Sequence, residues 1–214
     1  MRIKRFIWMT LWLLMVSAQI GAAEGTTRTN PVNSSLLDSL RQGGYILFVR
    51  HGEATIGEDQ PNLIFRDCST QRNLSEAGRA QALLFGKTLR SLQIPVQSPV
   101  AASPFCRTRE SAEVAFGKEQ VELDPFWVRI YKLSSPVSAT EKENTLAALT
   151  SVLEKVPLPG TNRVILAHSF PKGIGLGEIP YMGTVVVKPK GEGNGYEIVG
   201  KFSLNELENS LREQ

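Results

Sequence analysis

The sequence predicts a single three-layer α/β/α domain with a mainly parallel central sheet and a C-terminal hairpin. Three observations carry this. Short apolar runs at Tyr45–Val49, Pro99–Ala102 and Arg163–Ala167 alternate with helix-length segments, and that alternation favours parallel pairing through crossover connections. The first run is apolar enough to be a central strand covered on both faces. Past residue 183 the helical segments give way to two strand-like stretches around Gly191–Gly195, where Asn194-Gly195 is a strong hairpin-turn signal. At 214 residues the chain suffices for one well-buried domain and hardly for two.

Taken in order, Arg2, Lys4 and Arg5 precede an apolar stretch from Phe6 to Val16, and Gly21-Ala22-Ala23 follow. This is the three-part layout of a secretory signal, cut after Ala23. The alternative is an uncleaved anchor, but the stretch is shorter than the ~20 apolar residues that span a bilayer. Residues 1–23 are therefore expected to be a signal peptide, with no stable membrane anchor after cleavage and a periplasmic or secreted destination. Its three charges are all basic, so their removal leaves 21 of the 24 basic residues against 21 acidic ones. A balanced mature chain gives no electrostatic case for nucleic-acid binding.

Residues 24–33 read as a polar, flexible N-terminal segment, and the domain spans 34–214. A helix over Ser34–Arg41 should stop at Gly43-Gly44, ahead of the strand Tyr45–Val49. Residues 54–73 lack a period and contain Pro61, Asn62 and Asp67, which predicts a long loop of the kind that is usually functional or lid-like. Ser75 caps a helix reaching about Leu92. A short strand ends at Ala102, a helix runs from about Cys106 to Phe116, and Val121–Leu123 is a third strand. The capping-box pattern Ser138-Ala-Thr-Glu141 opens a helix ending at Pro157. Arg163–Ala167 follows, then the hairpin Gly183–Lys188 and Tyr196–Phe202, and a last helix from near Ser203.

In an oxidising compartment two cysteines favour a disulfide over free thiols, so Cys68 and Cys106 are expected to pair. A catalytic cysteine of the tyrosine-phosphatase type needs an arginine six positions later. Leu74 and Ala112 stand there instead.

Only two histidines are present, His51 and His168, and each sits where a predicted strand gives way to a loop. Strand C-terminal ends are where open α/β sheets assemble their sites. Phosphoryl transfer asks for positive groups in fixed geometry. Guanidinium groups suit it, because they donate paired hydrogen bonds and keep their charge. Arg50 adjoins the first histidine, and Arg107 lies at a helix start, where free N–H groups also favour an anion. An imidazole nitrogen can attack phosphorus and split one displacement into two. The histidines and separated cysteines give no convincing zinc-ligand spacing.

Arg50-His51-Gly52-Glu53 resembles the signature of the histidine phosphatase superfamily, the phosphoglycerate-mutase-like proteins. Leu74–Ala82, Ser103–Glu113 and Val164–His168 resemble three further segments of that family, in its order. The resemblance implies that His51 is the nucleophile that becomes phosphorylated. Arg50, Arg107 and His168 would surround the transferred phosphoryl group. No metal and no cofactor are implied. Ala54 and Gly57 stand where mutases and many relatives have Ser and Asn, which argues against a phosphoglycerate mutase. Glu53-Ala54-Thr55 and Ser169 depart from the phytase branch. For the proton donor the candidates are Glu53 and Glu178, the latter on the Gly-rich loop that returns from His168. Arg66, Arg72 and Arg109 read first as solvated charges, with extended substrate recognition as the alternative.

The expected function is an exported phosphatase hydrolysing a phosphomonoester, or a phosphoramidate, through a phosphohistidine on His51. Its partner would be a small phosphorylated substrate; an envelope sugar phosphate enters by analogy with similar exported proteins. The alternative is an inactive family member that binds a phosphate ligand or another protein without turnover.

Overall fold

The computed structural model describes residues 31–213. The expected signal peptide and most of the expected flexible segment lie outside the described residues. The end of that segment is tied to the domain: Val32 is buried, its N–H donates to Ser210 Oγ at 3.0 Å, and Asn33 caps the first helix.

Helices α1 (Ser34–Gln42), α2 (Glu76–Ser91), α3 (Cys106–Phe116), α4 (Phe126–Lys132), α5 (Ala139–Leu153) and α6 (Leu204–Asn209) surround six strands. These are β1 (Ile46–Arg50), β2 (Val100–Ala102), β3 (Val121–Leu123), β4 (Arg163–Ala167), β5 (Thr184–Pro189) and β6 (Tyr196–Phe202). They form one sheet in the order β3-β2-β4-β1-β5-β6. The pairs β3–β2, β2–β4 and β4–β1 are parallel, whereas β1–β5 and β5–β6 are antiparallel. The sheet is thus mainly parallel with a C-terminal hairpin, as the sequence pattern predicts.

Alternate residues of each central strand feed two separate cores, because successive side chains of a strand point to opposite faces. Leu47, Val49, Val164 and Leu166 pack with Leu40 of α1, Phe85 and Leu89 of α2, Ala112 of α3 and Leu207 of α6. Ile46, Phe48, Ile165 and Ala167 pack on the other face with Trp127 and Ile130 of α4 and Leu149 and Leu153 of α5. These two apolar layers make the architecture α/β/α. They also explain why β1 and β4 read as continuous apolar runs.

Helix α4 was not expected from the sequence. It has seven residues and is rich in aromatic and β-branched side chains, which are weak helix formers. Tertiary burial of Trp127 and Ile130 holds it, and the Asp124 side chain accepts from the Phe126 N–H at 2.9 Å at its start. The expected long loop is present over residues 54–73, with a short 3-10 turn at Cys68–Thr70. Cys68 and Cys106 form the disulfide, with Cα atoms 5.8 Å apart. Among the described residues no helix is long and apolar enough to cross a membrane.

Candidate active site

Three neighbouring parallel strands end side by side, and each delivers part of the site. Register pairs Arg50 of β1 with Ala167 of β4, and Ala102 of β2 with Leu166 of β4. The next residue of each strand is therefore His51, His168 or Ser103. Backbone bonds from His51 N–H to Ala167 O (3.1 Å) and from Ser103 N–H to Leu166 O (3.0 Å) carry the ladder to that edge.

The imidazoles of His51 and His168 meet edge to face with centroids 5.3 Å apart, and both residues are buried. His51 Nδ1 lies 2.6 Å from the Gly52 carbonyl. A carbonyl only accepts, so Nδ1 carries the proton and Nε2 keeps its lone pair. His168 Nε2 is 3.4 Å from the buried Ser103 hydroxyl. Phe105 packs edge-on against His168 at 4.7 Å, and Arg107 lies over the Phe105 ring at 4.5 Å. On the other side, Arg50 lies 4.0 Å over the ring of Tyr181 and donates from Nη1 to Ile179 O at 2.9 Å. The Tyr181 ring is 5.8 Å from that of His51. The two histidines and two arginines singled out from the sequence thus share one locality.

Close backbone packing fixes the His51 loop. A Cβ at Gly52 would come within 2.5 Å of the Gly78 carbonyl, and one at Gly78 would meet the Glu53 carbonyl. The glycines of Arg-His-Gly and of Leu-Ser-x-x-Gly are therefore partners across the β1–α2 contact. Gln81 Oε1 accepts from Glu53 N–H at 2.9 Å. Ser111 Oγ accepts from Gly52 N–H at 3.0 Å and donates to Arg107 O at 2.7 Å, so one hydroxyl ties the His51 loop to α3.

Burial is the largest influence on both imidazoles. It pushes His51 down from its ordinary 6.5 to about 3, with Arg107 adding to the effect, the Gly52 carbonyl opposing it, and Arg50 and Arg72 contributing further. His168 lies well below its ordinary value, first from burial and then from His51, Arg107 and Arg50. Both rings are neutral at physiological pH, and a neutral His51 is what a nucleophile requires. A stability prediction follows. Above about pH 6.5 neither the folded nor the unfolded chain carries these protons. Below it the unfolded chain takes up protons that the folded one refuses, so stability falls as pH drops toward about 3. For His51 the loss is roughly 1 kcal/mol per pH unit, and His168 acts in the same direction. Denaturant midpoints between pH 7 and pH 5 check this, and a flat profile would contradict it.

The remaining candidates fall in different places. Glu53 accepts from the Ser75 hydroxyl at 2.8 Å, at the N-terminus of α2. Glu178 is exposed and lines a cavity of about 210 Å³ with Thr184, Lys201, Ser203 and Glu206; its lining includes neither histidine. Arg72 belongs to the site: its charge acts on His51 and Arg50, its Nε donates to Thr55 O at 3.0 Å, and its carbonyl accepts from Arg107. Arg109 lies beside the disulfide, with Nη2 3.3 Å from Cys68 Sγ, and Arg66 is exposed. Sequence reasoning missed Asp59, whose carboxylate takes both terminal nitrogens of Arg107 at 2.8 and 3.0 Å. Nor does the sequence point to Tyr131, whose hydroxyl donates to Asp59 at 2.8 Å.

A neutral imidazole with a free lone pair, faced by a second imidazole and flanked by arginines at the C-terminal edge of a parallel sheet, is an arrangement chemically suited to a phosphoryl group. The family model described as histidine phosphatase superfamily (branch 1) matches residues 46–127. That span holds Arg50, His51 and Arg107, and His168 follows outside it. Over that span the chain is similar to the histidine phosphatase superfamily.

Among solved structures, the chain is similar to the protein histidine phosphatase SixA complexed with tungstate (15% identity, TM-score 0.49, covering 76% of this chain and 99% of that one). It is also similar to phosphoserine phosphatase from Entamoeba histolytica in complex with 3-phosphoglyceric acid (17%, 0.48, 76% and 98%). A third is the product of the open reading frame Rv3214 from Mycobacterium tuberculosis (15%, 0.49, 73% and 96%). No curated protein matches the chain.

Proposed function

We propose that the protein is a phosphatase that hydrolyses a phosphomonoester, or a phosphoramidate, through a phosphohistidine formed on His51. The observation that carries the reading is the 2.6 Å contact from His51 Nδ1 to the Gly52 carbonyl, which leaves Nε2 unprotonated beside His168. In the first step Nε2 attacks phosphorus, the P–N bond forms, and the P–O or P–N bond to the leaving group breaks. The leaving atom departs with the bonding pair and takes a proton. Glu178 faces a separate cavity whose lining includes neither histidine, so this proton is drawn from solvent rather than from that carboxyl. A leaving group of low pKa needs less help. In the second step water attacks the phosphohistidine, a P–O bond forms as the P–N bond breaks with its pair returning to Nε2, and the water's proton passes to solvent as inorganic phosphate leaves. Arg50, Arg107 and the His168 imidazole hydrogen-bond the three equatorial oxygens, where charge resides in the transition state.

Export belongs to the same proposal. It is supported by the signal-like segment 1–23 and by the Cys68–Cys106 disulfide, a bond that persists in oxidising compartments. A phosphorylated sugar of the cell envelope is the substrate class proposed for a phosphatase so placed.

The test is a trapping experiment. Protein mixed with 32P-labelled substrate and denatured after a short interval should retain label that survives alkali and is lost in acid, as a P–N bond requires. Peptide mapping should place it on His51. Label on a serine, or turnover with no trapped label at any quench time, would count against the covalent route.

A further inference from the structure

We infer that Asp59 is a positioning residue: its carboxylate grips the end of the Arg107 guanidinium and turns the side edge of that group toward the transferred phosphoryl. The inference rests on the assignment of Arg107 to the phosphoryl group made above.

The donor inventory of Arg107 carries it. A guanidinium has five N–H groups. Nη1 donates to Asp59 Oδ1 at 2.8 Å and to Arg72 O at 3.2 Å, and Nη2 donates to Asp59 Oδ2 at 3.0 Å. The other two, Nε–H and the second Nη2–H, point in one direction and form the side fork that matches two oxygens of a tetrahedral anion. Asp59 therefore does not have to leave when a phosphoryl group arrives. It holds one edge and leaves the second for the ligand.

The acceptor side is equally complete. Oδ1 also accepts from the Arg72 backbone N–H at 2.8 Å, and Oδ2 from the Tyr131 hydroxyl at 2.8 Å. Each carboxylate oxygen thus has two donors, and neither is placed to pass a proton to substrate. The side chains of Arg107 and Asp59 are only 3% and 8% exposed, so the pair is shielded from solvent screening. Burial pushes the Asp59 carboxyl up, but hydrogen bonds from Arg107 and Arg72 outweigh it and hold the group below the ordinary carboxylate range.

The long loop is anchored for this purpose at both ends of the ion pair. Asp59 lies on it, and Cys68 of the same loop is bonded to Cys106, the residue before Arg107. Gln71, also on the loop, accepts from the Cys106 N–H at 2.9 Å. These contacts tie the residue 54–73 segment to the start of α3 beside Arg107.

The test compares wild type, Asp59→Asn and Arg107→Ala in the disulfide-bonded protein. It reads kcat and KM on p-nitrophenyl phosphate, direct binding of inorganic phosphate, and the melting temperature. Asp59→Asn keeps the shape and removes the charge, so kcat/KM should fall by about 10- to 100-fold, through misplacement of a ligand group. Phosphate binding should weaken with it and the melt should stay cooperative. Tyr131→Phe removes one donor to the same carboxylate and should shift KM in the same direction by less. Tighter phosphate binding and a lower KM in Asp59→Asn would show a carboxylate competing with the ligand, and would overturn the inference. Unchanged phosphate binding in Asp59→Asn would overturn it too. If Arg107→Ala also leaves phosphate binding and turnover unchanged, the assignment of Arg107 fails as well. If only Arg107→Ala weakens them, the role of Asp59 alone falls.

Discussion

His51→Ala is expected to reduce turnover on the order of 10,000-fold or more, the usual cost of deleting a covalent nucleophile. No neighbour is arranged to replace it. The His168 ring stands edge to face with that of His51, and its Nε2 lies against the Ser103 hydroxyl rather than on an attack line shared with His51. Phosphate binding should survive, because Arg50 and Arg107 come from a strand end and a helix start that do not depend on the imidazole. The variant loses a buried hydrogen bond to Gly52, a cost of about 1–3 kcal/mol, so a melting curve belongs with the assay. Turnover that persists in a variant still binding phosphate would remove His51 from the nucleophile's role.

The fold was legible because its signals are local. β1 and β4 announce themselves as apolar runs, Ser75 and Ser138 as caps, and Asn194-Gly195 as a turn. The observed caps agree: Ser75 Oγ accepts from Gly78 N–H at 3.0 Å and Ser138 Oγ from Glu141 N–H at 3.1 Å. Helix α4 broke the rule because burial, not propensity, makes it a helix. The reading of residues 54–73 as a long loop was correct in kind. Its attachment was not visible, since its contacts come from side chains without a periodic pattern.

The site divides along the same line. His51, His168, Arg50 and Arg107 could be found because each sits at a strand end or helix start with a recognisable neighbourhood. Asp59 could not. An aspartate between Glu58 and Gln60 in an exposed-looking loop reads as a solvated turn residue, and its partner lies 48 positions away. Tyr181 was hidden for a related reason. It follows Pro180 in a turn that packs on β1, where Met182 N–H reaches Arg50 O at 3.2 Å. Met182 adopts φ 51°, an unusual conformation for a residue other than glycine. Only the folded chain shows that this turn sets the Tyr181 ring against Arg50 and His51.

The second large effect concerns the disulfide. Replacing both Cys68 and Cys106 by alanine should cost about 3–4 kcal/mol of stability, because the bond closes a loop across a sequence separation of 38 in the unfolded chain. Both are replaced so that no free thiol remains to confuse the result. The effect should reach the chemistry as well. Within the native state the bond restrains the segment that presents Asp59 and Arg72, so KM should rise even under conditions where the variant is fully folded. The two consequences have separate origins, one in the unfolded ensemble and one in the loop. Denaturant titration reads the first and kinetics at low denaturant read the second. A midpoint shift equivalent to less than about 1 kcal/mol would contradict the entropic account. An unchanged KM would mean that Asp59, Arg72 and Gln71 hold the loop without the covalent link.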